Sequence, residues 1–187
     1  MVKGVKVMTL WADTRASSGT LDECIDRIAR KEPLGMDDLY QLAAPGVYAF
    51  ALSVLKNSHD AEDVLQDTFL RIYDGAASYH SQGKPMAWIL TITKNLCYKR
   101  LQELKRGGAI PLEEWKDYGL AQSGTTSDDR LVIQACMEKL TDDERQIVVL
   151  HAVSGFKHRE IAKMLDMKLS TVLSKYHRAV KKLKNNL

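Results

Sequence analysis

Cysteine is scarce. Cys24, Cys97 and Cys136 are the only three in 187 residues, too far apart for a CxxC pair or a disulfide framework. The five histidines show no HExxH and no cysteine at metal-ligand spacing, and neither GxxxxGK nor GxSxG occurs. His151 and His158 are seven residues apart, and they could share a face only if one helix ran through Gly155. The residues therefore offer no catalytic, metal or cofactor site. Long apolar runs are missing too. The longest stretch without a charged residue, Leu39–Leu55, has 17 residues and contains Pro45 and Gly46, short of the roughly 20 needed to cross a membrane. The first residues, with Lys3 and Lys6 ahead of VMTLWA, lack an apolar signal segment. The expected compartment is a reducing cytoplasm. Strand alternation and internal repeats are likewise missing, so the expected fold is all-α.

What is present is charge in blocks. The net charge is only +3, yet residues 34–83 carry −5 and residues 84–106 carry +5. Residues 107–130 return to −3, and residues 131–187 rise again to +5. No acidic side chain follows Asp166, whereas Lys168, Lys175, Arg178, Lys181, Lys182 and Lys184 do. Two basic blocks separated by acidic ones suit a polyanion such as nucleic acid, although lysines on solvated helices give the same count.

Helical period fills most of the chain. Residues 1–20 have none and read as a flexible arm. Leu21, Cys24, Ile25 and Ile28 mark a short helix over 21–31, broken by Pro33 and Gly35. A second helix starts at Asp37 or Asp38, with Pro45-Gly46 predicted to interrupt or kink it. Asn57-Ser58-His59 is a break and Asp60 a candidate cap. From Asp60 to Tyr73 the sequence DAEDVLQDTFLRIY buries Val64, Leu65, Thr68, Phe69 and Ile72, while Asp63, Gln66, Asp67 and Leu70 fall on the other side. Asp74 to Pro85 is rich in turn formers and predicts a loop. Met86 to Arg106 is a long helix, with Cys97 on its apolar stripe and Thr91, Lys94, Asn95, Tyr98, Gln102 and Lys105 on another face. Gly107-Gly108 ends it, and 107–126 has the composition of a flexible linker.

Ser127 can cap the next helix, and Thr141-Asp-Asp-Glu144 is a capping box for another. His158–Leu165 is a short helix, Asp166–Leu169 a tight turn, and Ser170 caps a final helix. The result is two small helical domains, 21–106 and 127–187, the second with the spacing of a helix-turn-helix. Its last helix buries Val172, Tyr176, Ala179, Val180 and Leu183. The opposite face presents Ser170, Thr171, Ser174, His177, Arg178 and Lys181, donors suited to base edges and phosphates. A solvated helix closing a small bundle remains the alternative.

The run GFKHREIAKMLDMKLSTVLSKYHRAVKKL (Gly155–Leu183) resembles the second DNA-binding domain of sigma factors. DAEDVLQDTFLRIY, followed by WILTITKN (Trp88–Asn95), resembles their first domain. Together, in this order and with a linker between, they resemble the extracytoplasmic function (ECF) group of the sigma-70 family. That resemblance implies a transcription-initiation factor without chemistry of its own. Its partners would be core RNA polymerase (β′ clamp helices and β flap), promoter DNA and an anti-sigma factor, and no stable homo-oligomer is expected.

The resemblance further implies that Asp63, Gln66 and Asp67 dock on the polymerase, an acidic and amide face opposite a basic helical partner. Tyr79, His80 and Gln82 would capture an extruded base of the minus-ten element. Lys94, Asn95, Tyr98 and Lys99 would meet the adjacent DNA. Ser170, Thr171, Ser174, Lys175, His177, Arg178 and Lys181 would read the minus-thirty-five element. Here the chain departs from the family pattern: Leu173 stands where a donor is usual, and Lys175 where arginine is usual, which keeps the charge but not the bidentate fork. The competing reading is a helix-turn-helix regulator with a helical sensor domain.

Overall fold

The computed structural model describes residues 18–106 and 137–185. Both segments are helical and fall into two compact units. In the first, α1 (Ser18–Ala29), α2 (Gly35–Leu55), α3 (Ser58–Gly75) and α4 (Pro85–Arg106) pack side by side, with a 3-10 turn over Ala76–Ser78 after α3. In the second, α5 (Asp142–Ala152), α6 (His158–Met164) and α7 (Leu169–Lys184) form the helix-turn-helix arrangement. Residues expected to form the linker, and residues 127–136 of the helix expected to start at Ser127, lie outside the described residues.

The first unit forms because each helix has one apolar side. Leu21, Cys24, Ile25 and Ile28 of α1 are buried, as their spacing predicts. They meet Leu39, Ala43, Val47 and Phe50 of α2, and Val64, Leu65, Phe69 and Ile72 of α3 close the core with Ile89, Leu90 and Cys97 of α4. Two threonines share that interior. Thr68 and Thr93 satisfy their hydroxyls on the Val64 and Ile89 carbonyls of their own helices.

Several expected boundaries move. The first helix begins at Ser18, inside the segment read as an arm, because its first turn extends upstream of the buried stripe. Pro45 does not interrupt α2, which runs through it. Its ring lies on the exposed side, and the buried Ala43, Ala44, Gly46 and Val47 around it hold the helix together by packing. The α3 cap is Asn57, which accepts from the Asp60 amide at 3.0 Å. Asp60 is thereby left to pair with Arg100 of α4 at 2.6 Å. Helix α3 continues to Gly75, so the open loop is shorter than expected and spans Tyr79–Lys84. The last helix starts at Leu169 with Lys168 at its cap position, so Ser170 lies within the first turn and does not cap it.

The turn between α1 and α2 is held by Arg27. Its guanidinium reaches Asp38 at 2.6 Å and donates to the Pro33 carbonyl at 3.1 Å. The two helices approach so closely at Gly35 that a Cβ there would lie 3.1 Å from the Arg27 Cβ and 3.2 Å from the Ile28 amide nitrogen. Gly35→Ala is therefore expected to overpack the crossing and cost about 1–3 kcal/mol. Urea denaturation of the full chain measures it, and an unchanged midpoint would mean that α1 shifts freely.

Candidate functional site

Because α3 buries one side, the other must face outward. Asp63, Gln66 and Asp67 are all exposed and lie along one face at helical spacing. The same face continues into two large apolar side chains, Leu70 at 63% and Tyr73 at 55% exposure. Tyr73 was not singled out from the sequence, although it follows Asp63, Gln66 and Leu70 at helical spacing. The structure thus joins a polar face to an apolar one.

The loop after α3 is gripped at its stem. The Tyr79 hydroxyl donates to Asp22 of α1 at 2.7 Å, and its ring packs on Trp88 with centroids 4.5 Å apart. Burial, reinforced by the Asp22 bond, pushes the Tyr79 phenol up to about 12. Tyr79 is therefore a strut here, and the exposed tip is His80–Lys84. Within it the Ser81 hydroxyl accepts from the Gly83 amide at 3.2 Å, and Gly83 takes a φ of 70°. His80 and Gln82 are exposed at this tip. On α4, Asn95, Tyr98 and Lys99 are exposed and Lys94 half-buried, with Lys99 beside Glu103 at 3.8 Å. Asp22 was not singled out from the sequence, because its partner is far along the chain.

In the second unit the α7 face splits in two. Val172 and Ala179 are buried, Ala179 together with Leu140 and with Val148 of α5, and Tyr176 and Leu183 pack on that cluster. On one flank Lys175 pairs with Asp143 at 2.8 Å, and Lys182 with the buried Glu144 at 2.6 Å. Lys175 is consequently a strut to α5, apart from the outward stripe. Burial opposes ionisation of Glu144, but the Lys182 and Thr141 hydrogen bonds prevail and hold its carboxyl below the usual range. Glu144 also completes the expected capping box with Thr141. Ser170, Leu173, Ser174, His177, Arg178 and Lys181 form one exposed stripe, and Thr171 is half-buried at its edge. Arg178 Nε donates to the Ser174 carbonyl at 3.4 Å.

His151 and His158 meet although α5 ends at Ala152 and Gly155 turns the chain with a φ of 72°. The turn folds α6 back, so the rings stack with centroids 4.4 Å apart. Tyr176 of α7 sits edge-on to both, at 4.9 and 4.7 Å. The His151 Nδ1–H donates to the Phe156 carbonyl at 2.8 Å, while His158 Nε2 is buried without a hydrogen-bond partner. Among the described residues no group of three or more side chains could hold a metal ion.

Burial, with the charges of His151 and His177 adding to it, pulls the His158 imidazole below its usual range. A base depressed by folding stabilises the fold while neutral, and that stability is lost as the pH falls through the unfolded value. The melting temperature of the helix-turn-helix unit is therefore expected to drop between pH of about 7.5 and about 5.5. The carboxyl of Glu144 titrates below that window. Calorimetry of the full chain tests this, with His158→Asn flattening the slope. An equal slope in the variant would assign the effect elsewhere.

Residues 39–107 match the family described as Sigma-70 region 2, and residues 130–183 match Sigma-70, region 4. The chain is 28% identical over 178 residues to the ECF RNA polymerase sigma factor SigK of Mycobacterium ulcerans, covering 91% of this chain and 95% of that one. It is 31% identical over 160 residues to the ECF RNA polymerase sigma factor SigE of Mycolicibacterium smegmatis, covering 81% of this chain and 61% of the relative. Among solved structures, sigma factor RpoE of Bartonella quintana, in complex with the anti-sigma factor NepR, superposes with a TM-score of 0.65 at 25% identity. That match covers 82% of this chain and 96% of the other. The fold also matches CnrH, solved with the cytosolic domain of CnrY, at a TM-score of 0.62 and 19% identity over 89% of this chain and 96% of that one. No helix among the described residues is long and apolar enough to cross a membrane. With region 2 followed by region 4, and with relatives that match across most of its length, the chain belongs to the ECF group of the sigma-70 family of RNA polymerase sigma factors.

Proposed function

We propose that the two units share the work of starting transcription, and that the chain performs no chemistry of its own. In this reading the α3 face docks core RNA polymerase on its β′ clamp helices, with Asp63, Gln66 and Asp67 bonding a basic helical surface. Leu70 and Tyr73 supply apolar area beside those charge-assisted bonds. The observation that carries this is the continuity of that face: three polar side chains and two large apolar ones, all exposed along one helix. An interface core needs both kinds.

The loop tip with His80 and Gln82 then takes an extruded base, and Lys94, Asn95, Tyr98 and Lys99 follow the adjacent strand. Helix α7 enters the major groove of the upstream element, with Ser170, Ser174, His177, Arg178 and Lys181 outward and Thr171 at the margin. The region 4 unit also contacts the polymerase β flap. An anti-sigma partner covers these faces when the factor is idle. Support for that partner comes from the related RpoE, which was solved with NepR. The compartment is the cytoplasm, where polymerase acts.

Replacing Gln66 and Asp67 together by alanine is expected to weaken binding to core polymerase. Each charge-assisted bond lost costs about 1.5–3 kcal/mol, so the drop should exceed about tenfold. Circular dichroism should show the fold unchanged, since both side chains are exposed. Unaltered affinity for core enzyme would refute the docking assignment, and full promoter binding without polymerase would favour a stand-alone regulator.

Arg178→Ala is expected to lower affinity of the assembled holoenzyme for its upstream duplex by about 1–3 kcal/mol, with core docking intact. Electrophoretic mobility shift and core-binding assays separate the two. Parallel loss in both would remove Arg178 from the DNA face.

A further inference from the structure

Among the side chains of the outward stripe on α7, one cannot donate or accept a hydrogen bond. Leu173 is 37% exposed, a large apolar group between Ser170 one turn before it and His177 one turn after it, with Ser174 beside it. No described residue of its own unit buries it as Val172 and Ala179 are buried. A lone exposed leucine is ordinary on a solvated surface. This one is set among hydroxyl, imidazole and guanidinium groups on the face proposed above to enter a major groove, and the inference rests on that reading.

In that groove the choice of contact is narrow. Guanine and adenine offer N7 with O6 or N6, cytosine offers its N4 amine, and thymine offers O4 and a C5 methyl. The methyl is the one apolar group among these, and it projects further into the groove than the C5–H that cytosine has at the same position. A leucine pressed against any of the others would desolvate a donor or acceptor without replacing its hydrogen bond. We propose that Leu173 is a specificity-determining residue that reads the C5 methyl of one thymine in the upstream promoter element. The neighbouring Ser174, His177 and Arg178 then bond base edges and phosphates on either side, and Leu173 admits thymine at its own position by contact alone.

The contact can be tested by removing only the methyl. Holoenzyme assembled from the full chain and core RNA polymerase selects duplexes from a pool randomised in the upstream element. The preferred duplex is then resynthesised with deoxyuridine in place of each upstream thymine in turn. One replacement should lower wild-type affinity about fourfold, the worth of one buried methyl group. The L173A holoenzyme should bind the thymine duplex about fourfold less well and be indifferent to that same replacement, the signature of coupling between the two groups. Leu173 is exposed and alanine favours helix, so the variant should fold, as circular dichroism and its melting curve will show. Wild-type indifference at every position, or undiminished uridine sensitivity in L173A, overturns the thymine contact and leaves the groove reading of α7 standing. A pool that yields no preferred duplex overturns the groove reading and this inference with it.

Discussion

The structure depends on how little of α7 is spent on holding it in place. Val172 and Ala179, seven residues apart, are its only fully buried side chains among the described residues. Two ion pairs, Lys175–Asp143 and Lys182–Glu144, brace the flank. Such pairs add little when exposed, but Glu144 is almost fully buried, so its pairing with Lys182 is needed to avoid a stranded charge. Arg145, also buried, is satisfied by Asp142 and by the Leu140 and Met137 carbonyls. The struts fix the orientation of α7 from one side and leave a whole stripe for a partner.

The same economy governs the first unit. Each of α1 to α4 commits one stripe to the core, and the face of α3 left over is chemically mixed instead of uniformly charged. Its acidic groups favour encounter with a basic surface, and Leu70 and Tyr73 contribute area that becomes favourable only once water is excluded. Long-range attraction and short-range burial thus reside on one rigid element.

Helix positions and fold class were legible in the sequence because apolar side chains recur every three to four residues in every element. The capping box at Thr141 and Glu144 was legible because both partners are local. Caps at Asn57 and Lys168 were not, since several adjacent side chains compete for one turn and tertiary packing decides among them. Passage of α2 through Pro45 was hidden for a similar reason: a local penalty is outweighed by a buried face. The polar faces of α3 and α7 were visible as period, but the contacts of Tyr79 with Asp22 and of Lys175 with Asp143 were not, because the partners are distant in sequence. His151 and His158 come together through a turn, which periodicity cannot anticipate.

The grip on Tyr79 separates two tasks that a loop usually combines. With one end held by Asp22 and Trp88 and the other entering α4 at the buried Pro85, the residues between them contribute nothing to the interior. Gly83 has open space around it. Apart from Gly83, whose φ of 70° strains any other residue, the tip is in effect an exchangeable cassette: its letters can drift through mutation without eroding the scaffold, so the surface it presents can change while the molecule keeps its thermal resilience.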